Sequence, residues 1–237
     1  MGKDGHNPVY AVLLASGRGE RMGSDLPKQF LKIGDKTVVE HSLHAFDAMG
    51  EIDGIVLVVH GEYRELMEDL LAHHPVQKIV ALVDGGETRQ QSAYIGLMHV
   101  PVQSGQVLIH DAVRPLVSAN LSRACLSGLA DAAAVTCAIP TSDTIIEVDE
   151  QGFIAAVPPR NRLWRVQTPQ AFELALIRQA HQRAIDESYF HATDDCSLIL
   201  RYQLSPVWIV SGETRNLKLT HMEDLALAEY LLNGHTL

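Results

Sequence analysis

Through its first 140 residues the chain alternates between short, unbroken apolar runs and segments with helical spacing. The runs cover residues 9–14, 52–59, 78–83, 106–109 and 133–139. Between them, residues 38–49, 63–71, 89–98 and 118–129 carry apolar side chains at helical intervals, with Ser118 placed as an N-cap. Strands buried on both faces read as continuous apolar runs. Their regular alternation with helices predicts a mostly parallel sheet covered on both sides, an α/β, Rossmann-like three-layer fold. In such sheets ligands bind beyond the carboxyl ends of the strands. The runs that stop at Leu14, Val83 and Ile109 each lead into a loop rich in glycine, charge or proline. The sequence thereby nominates one rim of the sheet as the site.

The alternation breaks after Pro140. Residues 144–148 and 153–157 flank the polar stretch Asp149-Glu-Gln-Gly152 and read as a hairpin closed by Pro158-Pro159. An isolated hairpin is marginal in water, so this inserted β-arm, residues 141–160, needs its own domain or a partner chain to pack on. The remainder returns to helix (171–185), strand (206–210) and helix (222–232). With no repeat, linker or low-complexity stretch, residues 1–237 are expected to form one domain carrying the arm.

Charge excludes one class of partner. Nineteen Lys and Arg against 29 Asp and Glu leave a net charge of −10, whereas a duplex-binding surface needs a basic face; no nucleic-acid partner is expected. No apolar run approaches the ~20 residues of a membrane span, and the polar stretch Met1 to Pro8 lacks signal-peptide anatomy, so no membrane association and a cytoplasmic location are expected. Cys125, Cys137 and Cys196 form no C-x-x-C pair and sit among apolar neighbours, which points to core packing in a reducing compartment. Trp164 and Trp208 are likewise expected to be packing residues. The 12 histidines show no metal-ligand spacing.

The first loop, Ala15-Ser-Gly-Arg-Gly-Glu-Arg-Met22, follows a buried run and leads shortly to Pro27-Lys28. A small-residue turn there lets backbone N–H groups approach phosphate oxygens. It lacks the G-K-[ST] ending of a P-loop, and Met22 stands where the third glycine of G-x-G-x-x-G belongs, which weighs against a hydride-transferring Rossmann enzyme. What remains is a turn with Arg18, Arg21 and Lys28 close by, a pattern suited to a polyphosphate; on spacing alone a solvated surface loop is equally open.

Five segments in order carry a resemblance. Ala11-Val-Leu-Leu-Ala-Ser-Gly-Arg-Gly-Glu-Arg-Met22 with Pro27-Lys-Gln-Phe-Leu31 is similar to the signature of the sugar-phosphate nucleotidylyltransferases. Asp84-Gly-Gly-Glu-Thr-Arg-Gln-Gln-Ser92, His110-Asp-Ala-Val-Arg-Pro115, Trp164-Arg-Val-Gln-Thr-Pro-Gln170 and Asn216-Leu-Lys-Leu-Thr220 narrow it. Together they resemble the 2-C-methyl-D-erythritol 4-phosphate cytidylyltransferases of the non-mevalonate isoprenoid pathway. The sister family acting on ribitol 5-phosphate shares P-K-Q-F-L and D-A-V-R-P and stays open as the alternative; Arg162-Leu-Trp164 leans toward the methylerythritol enzymes.

The resemblance implies transfer of CMP from CTP to a polyol phosphate with release of pyrophosphate. It implies Ala15, Ser16 and Gly17 along the triphosphate, with Arg21 and Lys28 on the phosphates and Lys218 at the α-phosphate. It places Gly86, Glu87, Ser92 and Ala112 at the nucleoside, and Asp111 and Arg114 at the methylerythritol hydroxyls. Thr144 and Arg160 would reach the acceptor phosphate from a neighbouring subunit's arm, with Thr168 and Thr193 supporting that pocket. It further implies Mg²⁺, with Asp111 as a candidate ligand, and a homodimer formed through the arm. Ordinary structural roles stay open for several of these residues: Arg114 as a strand-end cap, Asp111 as a turn former, Lys218 as a solvated lysine, Arg160 in a surface ion pair, and Thr193-Asp194-Asp195 as a helix N-terminus. The attacking oxygen would belong to a phosphate largely dianionic at pH 7, its second pKa being about 6, so no general base is required. The obstacle is repulsion between two anions, and fixed cations answer it.

Overall fold

The computed structural model describes residues 6–17 and 26–234. A seven-stranded sheet in the order β11-β7-β10-β6-β1-β4-β5 forms the centre. Its strands are β1 (Val9–Ala15), β4 (Gly54–Val59), β5 (Ile79–Asp84), β6 (Gln106–Asp111), β7 (Ala134–Pro140), β10 (Trp164–Glu173) and β11 (Trp208–Ser211). Neighbours run parallel except at β10, which is antiparallel to both β6 and β7. Two short ribbons stand apart: β2 (Lys32–Ile33) with β3 (Lys36–Thr37), and β8 (Glu147–Val148) with β9 (Ile154–Ala156).

Period-2 alternation sends β1 side chains to two cores. Ala11, Leu13 and Ala15 join one cluster with Val39, Leu43 and Phe46 of α1 (Val38–Asp47), Met67 of α2 (Arg64–His73) and Leu121 and Cys125 of α4 (Ala119–Gly128). Val12 and Leu14 face the other cluster, with Ala93 and Leu97 of α3 (Arg89–Met98), Ile177, Ala180 and Ala184 of α5 (Leu174–Asp186), and Leu198 and Ile199 of α6 (Cys196–Arg201). This is the three-layer α/β arrangement expected. A third, smaller cluster seats α7 (Glu223–Leu232) over Ile33, Val38, Val113 and Leu219. All three cysteines are buried with free thiols.

Several local expectations are corrected. Residues 171–173 belong to β10 and not to the following helix, which begins at Leu174; Ala171 and Phe172 are buried in the sheet, so their apolarity fits either assignment. The hairpin is shorter than its apolar pattern implied, because only Glu147–Val148 and Ile154–Ala156 pair. Trp164 and Trp208 are 44% and 53% exposed, not core residues. Trp164 opens β10 at the root of the arm, and Trp208 lies on the edge strand β11. Ser118 does cap α4, its hydroxyl accepting from Leu121 N–H at 3.0 Å.

Candidate active site

Loops after β1, β4, β5 and β6 meet at the carboxyl rim of the sheet and enclose a cleft of about 910 Å³, within the ~300–1,000 Å³ usual for small-molecule sites. Ala15, Ser16 and Gly17 line it with Lys28, Gly86, Glu87, Ser92, Asp111 and Lys218. A second pocket of about 270 Å³ adjoins it and holds Arg114, Thr168 and Thr193. Arg89, Asp111 and Lys218 line both.

Each wall has a local cause. Gln29 is fully buried and its amide donates to the carbonyls of Ala15 and Gly17, at 2.8 and 2.9 Å, tying the Pro27-Lys28-Gln29 segment to the first turn. That tie sets Lys28 on the cleft wall. Ser16 donates to Ser92 Oγ at 2.8 Å, and Gly86 N–H donates to the same oxygen at 3.2 Å. Thr88 and Gln91 close a capping box at the start of α3, which presents Arg89 and Ser92. Lys218 is held by its neighbours. Asn216 donates to the Thr168 carbonyl at 2.8 Å, and the N–H of buried Leu219 donates to the Val113 carbonyl at 2.9 Å.

Asp111 organises the charges. Its Oδ1 accepts from Arg89 Nε at 2.9 Å and its Oδ2 from Lys218 Nζ at 2.7 Å. Burial alone would raise its pKa, but Arg89 and Lys218 outweigh it and hold the carboxyl well below the usual range. Arg89 is partly buried; desolvation would lower its pKa, and Asp195 with Asp111 more than reverse this. Burial lowers the Arg114 pKa despite Asp111, and its guanidinium donates to the carbonyls of Asn216 at 2.8 Å and Val166 at 3.4 Å. Burial pushes His110 down to about 4. The resulting hydrogen-bond chain runs from Asp111 N–H to Thr168 Oγ, and from Thr168 to His110 Nδ1, at 3.1 Å each; His110 Nε2 donates to the Arg114 carbonyl at 3.2 Å.

Not every expected residue reaches the cleft. Ala112 is fully buried, its N–H committed to the Leu14 carbonyl. Thr144 and Arg160 line neither pocket; Arg160 donates to the Ser142 carbonyl within the arm at 3.1 Å. Arg21 lies outside the described residues. Both Asp111 oxygens already hold cations, which makes this carboxylate a poor metal ligand. Among the described residues no group of three or more His, Cys, Asp or Glu could hold a metal. Arg89, inside the Asp84–Ser92 motif, is a site residue that the sequence does not single out, because nothing in the sequence marks it as the shared wall.

A mostly parallel α/β sheet whose first strand ends in a small-residue turn, facing cations across a nucleotide-sized cleft, defines the class as an α/β nucleotidyltransferase. The model of the 2-C-methyl-D-erythritol 4-phosphate cytidylyltransferase family matches residues 9–234, and the chain belongs to that family. A relative with that activity from Thermobifida fusca is 44% identical over 94% of this chain and 93% of its own length. Another from Geobacillus thermodenitrificans is 43% identical over 94% of this chain and 96% of its own. The crystal structure of 4-diphosphocytidyl-2C-methyl-D-erythritol synthase from Anaerococcus prevotii is 31% identical, with a TM-score of 0.83 over 96% of each chain. The activity is transfer of a cytidylyl group from CTP to 2-C-methyl-D-erythritol 4-phosphate in isoprenoid biosynthesis, and the ribitol alternative is not favoured. Among the described residues no helix is long and apolar enough to cross a membrane.

Proposed function

We propose that the large cleft takes CTP and the adjoining pocket the methylerythritol phosphate. In this reading the triphosphate lies over Ala15, Ser16 and Gly17 beside Lys28 and Arg21, and the nucleoside lies over Gly86, Glu87 and Ser92. The acceptor hydroxyls meet Asp111 and Arg114, with Thr168 and Thr193 as the far wall. The observation that carries this reading is that the two pockets share Arg89, Asp111 and Lys218, so Lys218 stands where the attacking phosphate and the α-phosphate would meet. No proton acceptor is needed there, because the nucleophile is already ionised. The protein's contribution is to orient both anions and screen their repulsion with cations fixed before substrate arrives.

Mg²⁺ would be held chiefly by the substrate's triphosphate oxygens and would screen their charge, since Mg²⁺ is commonly bound through substrate phosphates. Asp111 is then an organiser of cations and not a metal ligand. Thr144 and Arg160 complete the acceptor pocket from a second subunit's arm, which makes the working form a homodimer; the buried free thiols suit a cytoplasmic location.

The test is pyrophosphate release from CTP with Lys28→Ala and Lys218→Ala. Each is expected to lose about 10²–10³ in kcat, as removal of one preorganised charge does, with the fold intact by circular dichroism. Lys28→Ala also raises the KM for CTP, because Lys28 lines the CTP cleft and not the adjoining pocket. Turnover within twofold of the unmodified enzyme would remove that lysine from the mechanism.

A further inference from the structure

Behind the wall shared by the two pockets, five side chains form one line. Lys218 Nζ bonds Asp111 Oδ2 at 2.7 Å, and Arg89 Nε bonds Asp111 Oδ1 at 2.9 Å. Arg89 Nη1 bonds Asp195 Oδ2 at 2.8 Å, and His181 Nε2 bonds Asp195 Oδ1 at 3.1 Å. The ionised Asp195 only accepts, so His181 Nε2 carries the hydrogen. His181 and Asp195 are each 1% exposed and line neither pocket. On α5 the neighbouring buried positions are apolar: Ile177, Ala180 and Ala184. Among the described residues an imidazole there leaves its Nδ1 without a partner, and Arg89 Nη2 on the other side of Asp195 also has none. Unpaired buried polar atoms cost stability, and an apolar side chain at 181 would avoid that cost. What the imidazole does is fix the second oxygen of Asp195.

We infer that His181 is a positioning residue for cytidylyl transfer, holding Lys218 at the meeting of the two pockets by way of Asp195, Arg89 and Asp111. Arg89 divides its charge between two buried carboxylates. Without the His181 N–H, Asp195 draws Arg89 toward itself and Asp111 is left less compensated. Asp111 then takes a larger share of Lys218, which is withheld from the phosphates. The inference rests on the proposed role of Lys218.

The experiment is a double-mutant cycle on the full-length enzyme. His181→Leu is expected to lower kcat about tenfold, in the range by which residues outside a site modulate it, while the KM for CTP changes less than about threefold. His181→Gln, which returns an N–H near the Nε2 position, is expected to restore kcat to within about threefold. In a Lys218→Ala background the His181→Leu loss should vanish, because coupled residues are not additive. An equal loss in both backgrounds, or a loss under twofold in the unmodified background, overturns the inference and leaves His181 a core residue. Should His181→Leu fail to fold, Asp195→Asn is read in the same cycle by the same criteria. Near-normal turnover of Lys218→Ala alone would instead fault the role of Lys218, a separate result.

Discussion

Gly85 follows β5 and lies against the first turn. A Cβ there would stand 2.6 Å from Ser16 Cβ and 2.8 Å from Ser92 Oγ. Ser16 Cβ is rooted in the backbone, so the turn itself must move, and overpacking of this kind costs about 1–3 kcal/mol. Gly85→Ala is therefore expected to raise the KM for CTP about tenfold, each 1.4 kcal/mol being a factor of ten; an unchanged KM would show that the turn is softer than this packing. His110 carries a second consequence at the same scale. It is fully buried against Phe46 and its pKa falls from 6.5 to about 4, chiefly by desolvation. The unfolded chain then binds more protons between those values, so stability rises with pH across the interval. The stabilisation is complete above about pH 6.5 and is lost as pH falls toward 4, amounting to about 3 kcal/mol. Urea unfolding from pH 7 to 4 should show this slope, and His110→Gln should flatten it.

Among the elements, the start of α3 joins stability to the site most directly. Thr88 Oγ accepts from Gln91 N–H at 3.1 Å and Gln91 Oε1 accepts from Thr88 N–H at 3.0 Å. Thr88→Ala is expected to cost about 1 kcal/mol and to lower kcat as Arg89 and Ser92 lose their anchor, whereas Thr88→Ser keeps both; a full loss of stability with no change in kcat would separate the cap from the site. This helix was legible in the sequence, as were the parallel strands, because their apolar runs and helical spacings are local. β10 was not. It contains Pro169, and a proline argues against a central strand. The ladder accommodates it with a register shift between Gln167 and Gln170, so Thr168 and Pro169 fall out of the pairing with β7. That same irregularity leaves Thr168 to bond Asp111 and Asn216. The glycine turn, Lys28, Asp111 and Lys218 could be read from motifs. The line through Asp195 to His181 could not, because it joins residues 106 and 14 positions apart and no local pattern encodes such a meeting.

At the scale of the whole molecule, the arm is the part that the single chain leaves unfinished. Val148, Phe153, Ile154 and Val157 are 56%, 71%, 63% and 60% exposed, an apolar surface of the kind that marks an interface. Two short paired strands do not stabilise themselves in water. Arg160 sits at the arm's end and reaches neither pocket of its own chain, which is the reason to propose that it serves the neighbour's site. The arrangement is testable by mixing two inactive proteins, Lys28→Ala and Arg160→Ala, unfolding and refolding them together so that subunits exchange. If Arg160 acts across a twofold interface, each mixed dimer contains one site with its own Lys28 and an intact Arg160 from the partner. Random pairing makes half the dimers mixed, with one good site of two, so about a quarter of normal activity should return. If Arg160 serves its own chain, every site in every mixed dimer lacks one of the two cations, and turnover stays at the level of the separate variants. Sedimentation of the mixture at the assay concentration, compared with a Phe153→Glu variant whose arm carries a charge in place of its most exposed ring, should show dimers in the first case and monomers in the second. A dimeric mixture with no returned activity would refute the assignment of Arg160 to the partner's site while leaving the interface in place.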